Sequence, residues 1–570
     1  MKKILNVLIL AVILMFGCND KNKETTKEKP NPVAPVIIND PDQENTDENS
    51  SNRLAISHEA MEVLANEVGI SLDEMTWEDL QKINSFIIDS EVKNIGSALK
   101  VLENLEELSI YIPIDLSFLP ELENVKKLII QTLHPEDTVY LTKMKNLESL
   151  TLSNIPNEDY RFLSSLEHLT TLELSYTGLA DLSKIPELEN LKQLYILDSG
   201  LPNLEEIGKF SNLETLLLSF QYSDFPLTPI GKLRKLDSII FHGVNFGSLD
   251  LGDLPNLKKF SVLSSTIEDI SPIAKLTNLK HLNLHGTKIS SFSFLDHLSQ
   301  LEFLDLTLTG IDDISILSHL TSLTGLRLET NRITDISPLE KLQQLTELNL
   351  SYTMIEDISP LAKLTKLQTL DLNGTLVDNL SPLSNLHQLE ELSISYTGKL
   401  KLEPLAGLRN IKILNLSESE IEDISPLQHM SKLEVLNLST TKVADISAVA
   451  SMKNLQKLYL YDTNVSDLSP LQNCQYIEEL DVSHTTVKDL SPLERLTNMK
   501  HLNLLQADVS DLSPLQNLHQ LESLYIGGTK VASIQPLLGL KKLRFVGLTK
   551  SRVTDWEKLT SLPNVEIVDL

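Results

Sequence analysis

Residues Leu345–Lys366 read LTELNLSYTMIEDISPLAKLTK, and Leu367–Gln388 read LQTLDLNGTLVDNLSPLSNLHQ. The second stretch repeats the first with a period of 22 residues, and a fixed internal period of this size is the signature of a solenoid. With Leu345 as position 1 of a coil, apolar residues fall at Leu345, Leu348, Leu350, Ile355, Ile358, Leu361 and Leu364. Leu348 and Leu350 share one face of a short strand, and Asn349 faces the other way. Tyr352 and Thr353 leave the strand. Ser359-Pro360 then reads as an N-cap with proline at the first helical position, and Pro360–Leu364 has room for little beyond a 3₁₀ turn. A single coil cannot bury its own leucines. Stacking on neighbours buries them and pairs each strand in parallel with the next.

Coils begin at Leu257, Leu279, Leu301, Leu323, Leu345, Leu367, Leu389, Ile411, Leu433, Leu455, Ile477, Met499, Leu521, Leu543 and Val565, with a strict spacing of 22. Upstream, an imperfect coil starts at Ile83, and others follow at Leu105, Val125, Leu147, Leu169, Leu191, Leu213 and Leu236, spaced 20 to 23 residues apart. The pattern L-x-x-L-x-L-x-x-T-x-I-x-D-I-S-P-L-x-x-L-x-x resembles the 22-residue leucine-rich repeat of the internalin-like class of bacterial surface proteins. The resemblance spans 83–570. It implies an α/β solenoid: a leucine-rich repeat horseshoe or curved rod, with a parallel β-sheet on the concave face and short 3₁₀ or irregular segments on the convex face. About 22 coils at about 4.8 Å each give a rod roughly 100 Å long.

The first residues, MKKILNVLILAVILMFGC, place two lysines before an apolar run that ends at Gly17-Cys18. The run is too short for a comfortable membrane span and has the layout of a secretory signal over 1–17. A cysteine directly after it resembles the bacterial lipoprotein signal, which implies a lipid on Cys18 and a place on the extracytoplasmic side of the cell membrane. Residues 18–52 are polar, charged and rich in Asn, Pro, Glu and Lys, a composition that cannot fold and suits a tether. Over 53–82, Ser57 caps a helix whose Met61, Leu64, Ala65 and Val68 form an apolar face, and Thr76 with Asp79 marks a second helix start. This segment is expected to be a helical cap on the end of the leucine stack. The chain as given ends at Leu570 inside a strand pattern, and no further domain, wall-sorting motif or transmembrane tail is expected.

The formal net charge of −30 argues against nucleic acid, whose phosphates need a basic stripe. The only cysteines are Cys18 and Cys474, so no disulfide framework is expected. Cys474 stands where other coils have Leu and reads as a small buried apolar residue. Trp556, at an Ile position, is expected to fill the C-terminal end. The recurring threonines (Thr287, Thr309, Thr353, Thr375, Thr397, Thr441, Thr463, Thr485 and Thr529) read as a ladder satisfying backbone groups at the turn. The aspartates before Ile-Ser or Leu-Ser (Asp335, Asp357, Asp423, Asp467, Asp489 and Asp511) read as turn formers. His281 and His285 share a strand face but stand about 13 Å apart, too far for one metal. Glu478, Glu479 and Asp481 form an acidic group that reads as solvated surface. No phosphate loop, metal spacing or nucleophile elbow occurs, so no cofactor is expected. An enzyme of the leucine-rich-repeat ubiquitin-ligase kind would need a separate catalytic domain, for which no residues remain.

Recognition is expected at the variable strand-face positions 2, 3, 5, 7 and 8. Tyr176, Tyr195, Leu197, Leu217, Phe220, Ile240, His242 and Leu263 lie on adjacent coils and are expected to form one exposed apolar patch. A second cluster holds Tyr459, Tyr461, Leu505, Tyr525 and Phe545. Together these features predict a monomeric, non-enzymatic surface protein that binds another protein. Binding of a glycan or wall polymer by the same face, with Tyr195, Tyr459 and Tyr525 stacking on sugars, is the alternative.

Overall fold

The computed structural model describes residues 58–570, apart from 93, 156–158, 221–224, 551 and 564. The expectations for the signal over 1–17, the lipid on Cys18, the tether over 18–52 and the Ser57 cap lie outside the described residues. The described chain divides into two units. One comprises the residues up to Phe86 together with Ser90–Leu105, and the other Ile87–Asp89 with Glu106–Leu570.

The first unit is helical. The helix His58–Val68 buries Ala60, Met61, Leu64 and Ala65. It ends at Gly69, whose φ of 73° is left-handed. There the Gly69 N–H donates to Asn66 O and the Ile70 N–H to Ala65 O, both at 3.1 Å, the Schellman arrangement that glycine permits. The helix Trp77–Leu80 opens on a reciprocal capping box. The Thr76 N–H donates to Asp79 Oδ2 at 3.0 Å, and the Asp79 N–H donates to Thr76 Oγ1 at 3.3 Å. A third helix, Ile95–Leu99, buries Ile95, Ala98 and Leu99.

The second unit is the solenoid. The main sheet among the described residues is parallel with 23 strands, beside a separate pair, Asn245–Ser248 with Thr266–Asp269, and equivalent positions pair from coil to coil in the strict half. Leu304 lies opposite Leu326, Leu326 opposite Leu348, and Leu348 opposite Leu370. Leucines of neighbouring coils therefore stack in columns. Leu345, Leu348, Leu350, Ile355, Ile358, Leu361 and Leu364 are all buried, and burial of each side chain contributes roughly 1.5–3 kcal/mol. Strands in the irregular half are long, as in Gln193–Ser199, whereas those of the strict half shrink to three residues, as in Glu347–Asn349. A 3₁₀ helix such as Ser359–Lys363 closes each regular coil on the opposite side.

The repeated polar residues close the coil. Thr353 Oγ1 donates to Leu350 O at 2.6 Å, and the pattern recurs at Thr309, Thr375, Thr441 and Thr463, each at 2.7 Å. Asn331 takes this place in its own coil and donates to Leu306 O and Leu328 O. One detail departs from expectation. Ser359 is the first residue of the 3₁₀ helix rather than its cap, and the Ile358 side chain makes no cap. Asp357 performs that task, its Oδ1 accepting the Ser359 N–H and its Oδ2 the Ser359 hydroxyl, both at 2.8 Å. A carboxylate two residues upstream reaches these donors where the short serine side chain does not.

Position 8 of the coil is left-handed. Ser264, Leu308, Thr330, Tyr352, Tyr396, Glu418, Thr440, Asp462, His484 and Gln506 all have φ between 51° and 58°. Here the chain turns out of the strand, and the side chain at position 8 swings toward solvent at the sheet edge. Trp556 near the C-terminal end is half-buried, with Lys550 Nζ 4.8 Å from its ring centroid.

Candidate recognition surface

Register fixes which strand-face residues meet. Glu173 lies opposite Tyr195, Tyr195 opposite Leu217, Leu217 opposite Ile240, and Ile240 opposite Ser261. Four of these, Glu173 to Ile240, make a ladder at position 5. Leu217 and Ile240 are only 7% and 8% exposed, which corrects the expectation of an open apolar patch: bulky neighbours one strand spacing away close over each side chain. Phe220 is a second correction. At 1% exposure it belongs to the core, its ring 5.5 Å edge-on from Phe225 in a chain that continues through Phe246 and Phe241 to Phe260. The strand Thr215–Phe220 runs on through position 8 instead of turning there, so alternation keeps Phe220 on the core face with Leu216 and Leu218. Tyr195, Leu197, His242 and Leu263 are half-buried on the strand face. Tyr176 is exposed, but with φ 54° it stands at the turn, where its N–H donates to Leu197 O at 3.1 Å.

The electrostatics of this ladder are uneven. Tyr195 donates its hydroxyl to Gln193 Oε1 at 3.2 Å. Burial, then the nearby Glu173 carboxylate, pushes its pKa up. Burial also raises the Glu173 pKa, against the lowering effect of hydrogen bonds from Ser175 and Thr151.

The second cluster is not contiguous. Tyr459 lies opposite Asp481, Asp481 opposite Asn503, and Asn503 opposite Tyr525. Two polar residues therefore separate the tyrosines, which stand about 14 Å apart at three strand spacings. Tyr461 packs edge-on against His484 at 5.1 Å, while Tyr525 packs against Phe545 at 5.0 Å. The acidic group nearby is locally answered. Glu478 pairs with Lys500 at 2.8 Å and Glu479 with Lys457 at 2.9 Å, and Asp481 accepts the Asn503 amide at 2.9 Å.

A third surface escaped the sequence reading. Tyr352 and Tyr396 are 51% and 52% exposed. Their ring centroids are 6.5 Å apart although a whole coil lies between them. That coil has Gly374 at position 8, and a Cβ there would come within 2.6 Å of Tyr352 Cδ1. Glu418, at position 8 of the next coil, accepts a hydrogen bond from the Tyr396 hydroxyl and raises its pKa. Met354 and Leu376, at position 10 of adjacent coils, and Leu308 are also exposed. The signal was a run of apolar residues at positions 8 and 10 with glycine between two tyrosines; of these, only position 10 lies off the positions expected to bind. Beside this ledge the strand face is polar. Arg327 pairs with Glu347 at 2.6 Å and lies 5.4 Å from the Phe303 ring centroid.

Cys474 is fully buried, and burial pushes its thiol up to about 11. Among the described residues, no group of three His, Cys, Asp or Glu side chains could hold a metal ion. No helix among them is long and apolar enough to cross a membrane.

With columns of stacked leucines, parallel three-residue strands and 3₁₀ closures in register, the chain belongs to the leucine-rich repeat family. Residues 255–297, 343–385 and 453–495 match the family described as leucine-rich repeats (2 copies). An internalin, InlF, from Listeria monocytogenes is 36% identical over 50% of this chain and 84% of its own, with a TM-score of 0.48. A leucine-rich repeat protein of Leptospira interrogans is 22% identical over 84% of this chain and 100% of its own, with a TM-score of 0.44. The mouse RP105/MD-1 complex is matched at 22% identity over 81% of this chain and 89% of the other, with a TM-score of 0.56. No curated protein matches the chain.

Proposed function

We propose that this protein is a monomeric, non-enzymatic recognition protein, held on the extracytoplasmic side of a bacterial membrane by a lipid on Cys18. It binds another protein through the strand face of the solenoid. The observation that carries this reading is the in-register ladder Tyr195, Leu217 and Ile240. Much of the strand face in the regular coils holds hydrogen-bonded polar side chains, such as Asn349 with Ser351 and Asn373 with Ser395. Here Tyr195 stands half-buried on the strand face beside the nearly closed Leu217 and Ile240, the arrangement that suits an aromatic anchor. The resemblance of the repeat to that of internalin-like bacterial surface proteins supports a role at the cell surface.

Proximity labelling on intact cells tests the partner. A surface protein should be labelled by the wild-type chain, bind it directly when purified, and lose affinity for Tyr195→Ser. Direct binding that is indifferent to Tyr195→Ser would move the site off this ladder. Metabolic labelling with a fatty-acid analogue tests the anchor: label should enter the wild-type chain and be lost in Cys18→Ala. Equal label in both would remove the lipid from the account.

A further inference from the structure

Three carboxylates at position 3 of the coil find a cation one coil away. Glu107 meets Lys127 at 3.1 Å, Glu347 meets Arg327 at 2.6 Å, and Glu479 meets Lys457 at 2.9 Å. Glu173 does not. It is half-buried within the strand Thr171–Ser175. Its oxygens accept only hydroxyl groups, Thr151 Oγ1 at 3.4 Å and Ser175 Oγ at 3.0 Å. Among the described residues no lysine, arginine or histidine forms an ion pair with it or offsets its desolvation. A carboxylate withdrawn from water without a counter-charge is a costly arrangement, and it stands at one end of the Tyr195, Leu217 and Ile240 ladder.

We infer that Glu173 is the receptor for a lysine or arginine of the protein partner, and that Tyr195 beside it packs on an apolar side chain of the same segment. This rests on the proposed protein-binding reading and names the partner's chemistry. The complementarity lies in a carboxylate without a counter-charge beside the half-buried Tyr195. The net charge of −30 favours the approach of a basic segment. Glu173 and Tyr195 are one strand spacing apart, about 4.8 Å. An extended segment crossing the strands advances about 3.4 Å per residue, with alternate side chains on one side. Its basic residue should therefore be followed on the same side by an apolar residue about two positions along.

The test pans a phage-displayed random dodecapeptide library on the immobilised whole chain and measures the enriched peptides on the wild type, Glu173→Gln, Glu173→Lys and Tyr195→Ser. Urea midpoints and circular dichroism confirm that each variant is folded. The wild type should enrich peptides with Lys or Arg at that spacing from apolar residues. Glu173→Gln should weaken them about tenfold or more, the loss of one charge-assisted bond, and Glu173→Lys should abolish them and favour acidic peptides. Enriched peptides weakened by Tyr195→Ser but indifferent to Glu173→Gln would overturn this inference and keep the protein-binding reading. No enrichment of any peptide, or retention of soluble glycans that depends on Tyr195 and Glu173, would overturn both.

Discussion

Tyr352 and Tyr396 bring their ring centroids to 6.5 Å across an intervening coil because Gly374 leaves the space between them empty. Gly374 has φ 63°, so an added Cβ is strained as well as crowded. Gly374→Ala should destabilise the protein by ~1–2 kcal/mol and separate the rings. Urea unfolding and the near-ultraviolet circular dichroism of the tyrosines check both effects. In contrast, Thr440→Gly should leave the urea midpoint unchanged or raise it, since Thr440 is an exposed β-branched residue held at φ 56°.

The threonine ladder makes a prediction of its own. Thr353→Val keeps the side-chain shape and removes the 2.6 Å bond to Leu350 O. The buried carbonyl is then left without that donor, at a cost of about 1–3 kcal/mol. The urea midpoint should fall accordingly. No change would remove the hydroxyl from the account of how a coil closes.

The turn aspartates predict the acid behaviour. The Ser359 backbone N–H, then its hydroxyl, holds the Asp357 carboxyl below the usual carboxylate range, and Asp313, Asp467 and Asp511 are lowered by the same two bonds. A folded-state pKa below the unfolded value of about 3.9 contributes stability that is present above that value. It is lost as pH falls through the lower folded value. The urea midpoint should therefore drop as pH falls below about 4. Asn379 already plays this part in a neutral form, accepting the Ser381 N–H at 3.0 Å. Replacing Asp357, Asp467 and Asp511 with Asn should shrink the drop. Glu173 and Asp371, raised by burial, contribute in the opposite sense and soften it.

Cys474 should be inert in the native protein. Its side chain is fully buried and its thiol is pushed up to about 11, so little thiolate forms at neutral pH. In a Cys18→Ala chain, a thiol reagent should modify Cys474 only when urea unfolds the coils. Fast native labelling would show that the Cys474 coil opens locally.

What was legible in the chain followed from recurrence. The leucine columns, Thr353, Asp357 and the 3₁₀ closure repeat because every coil must close in the same way, so their spacing states their role. The capping box of Thr76 and Asp79 was equally plain, being a local contact between residues three apart. What failed depended on neighbours that spacing does not describe. Leu217 and Ile240 point to the predicted face, yet the adjoining coils bury them. Phe220 is carried inward by a strand that runs on through position 8, and Phe225 packs against it. Tyr352 and Tyr396 stand at position 8, among the positions expected to bind, but their closeness depends on Gly374 in the coil between them, which spacing does not reveal.

The central claim is that repeated residues hold the stack together and non-repeating strand-face residues recognise. The most direct measurement takes the partner obtained by proximity labelling and determines its dissociation constant beside the urea midpoint, for wild type, Thr353→Val and Tyr195→Ser. The account predicts a lower midpoint with unchanged affinity for Thr353→Val, and weakened affinity with a near-native midpoint for Tyr195→Ser. Weakened affinity from Thr353→Val at an unchanged midpoint, or full affinity retained by Tyr195→Ser, would contradict it.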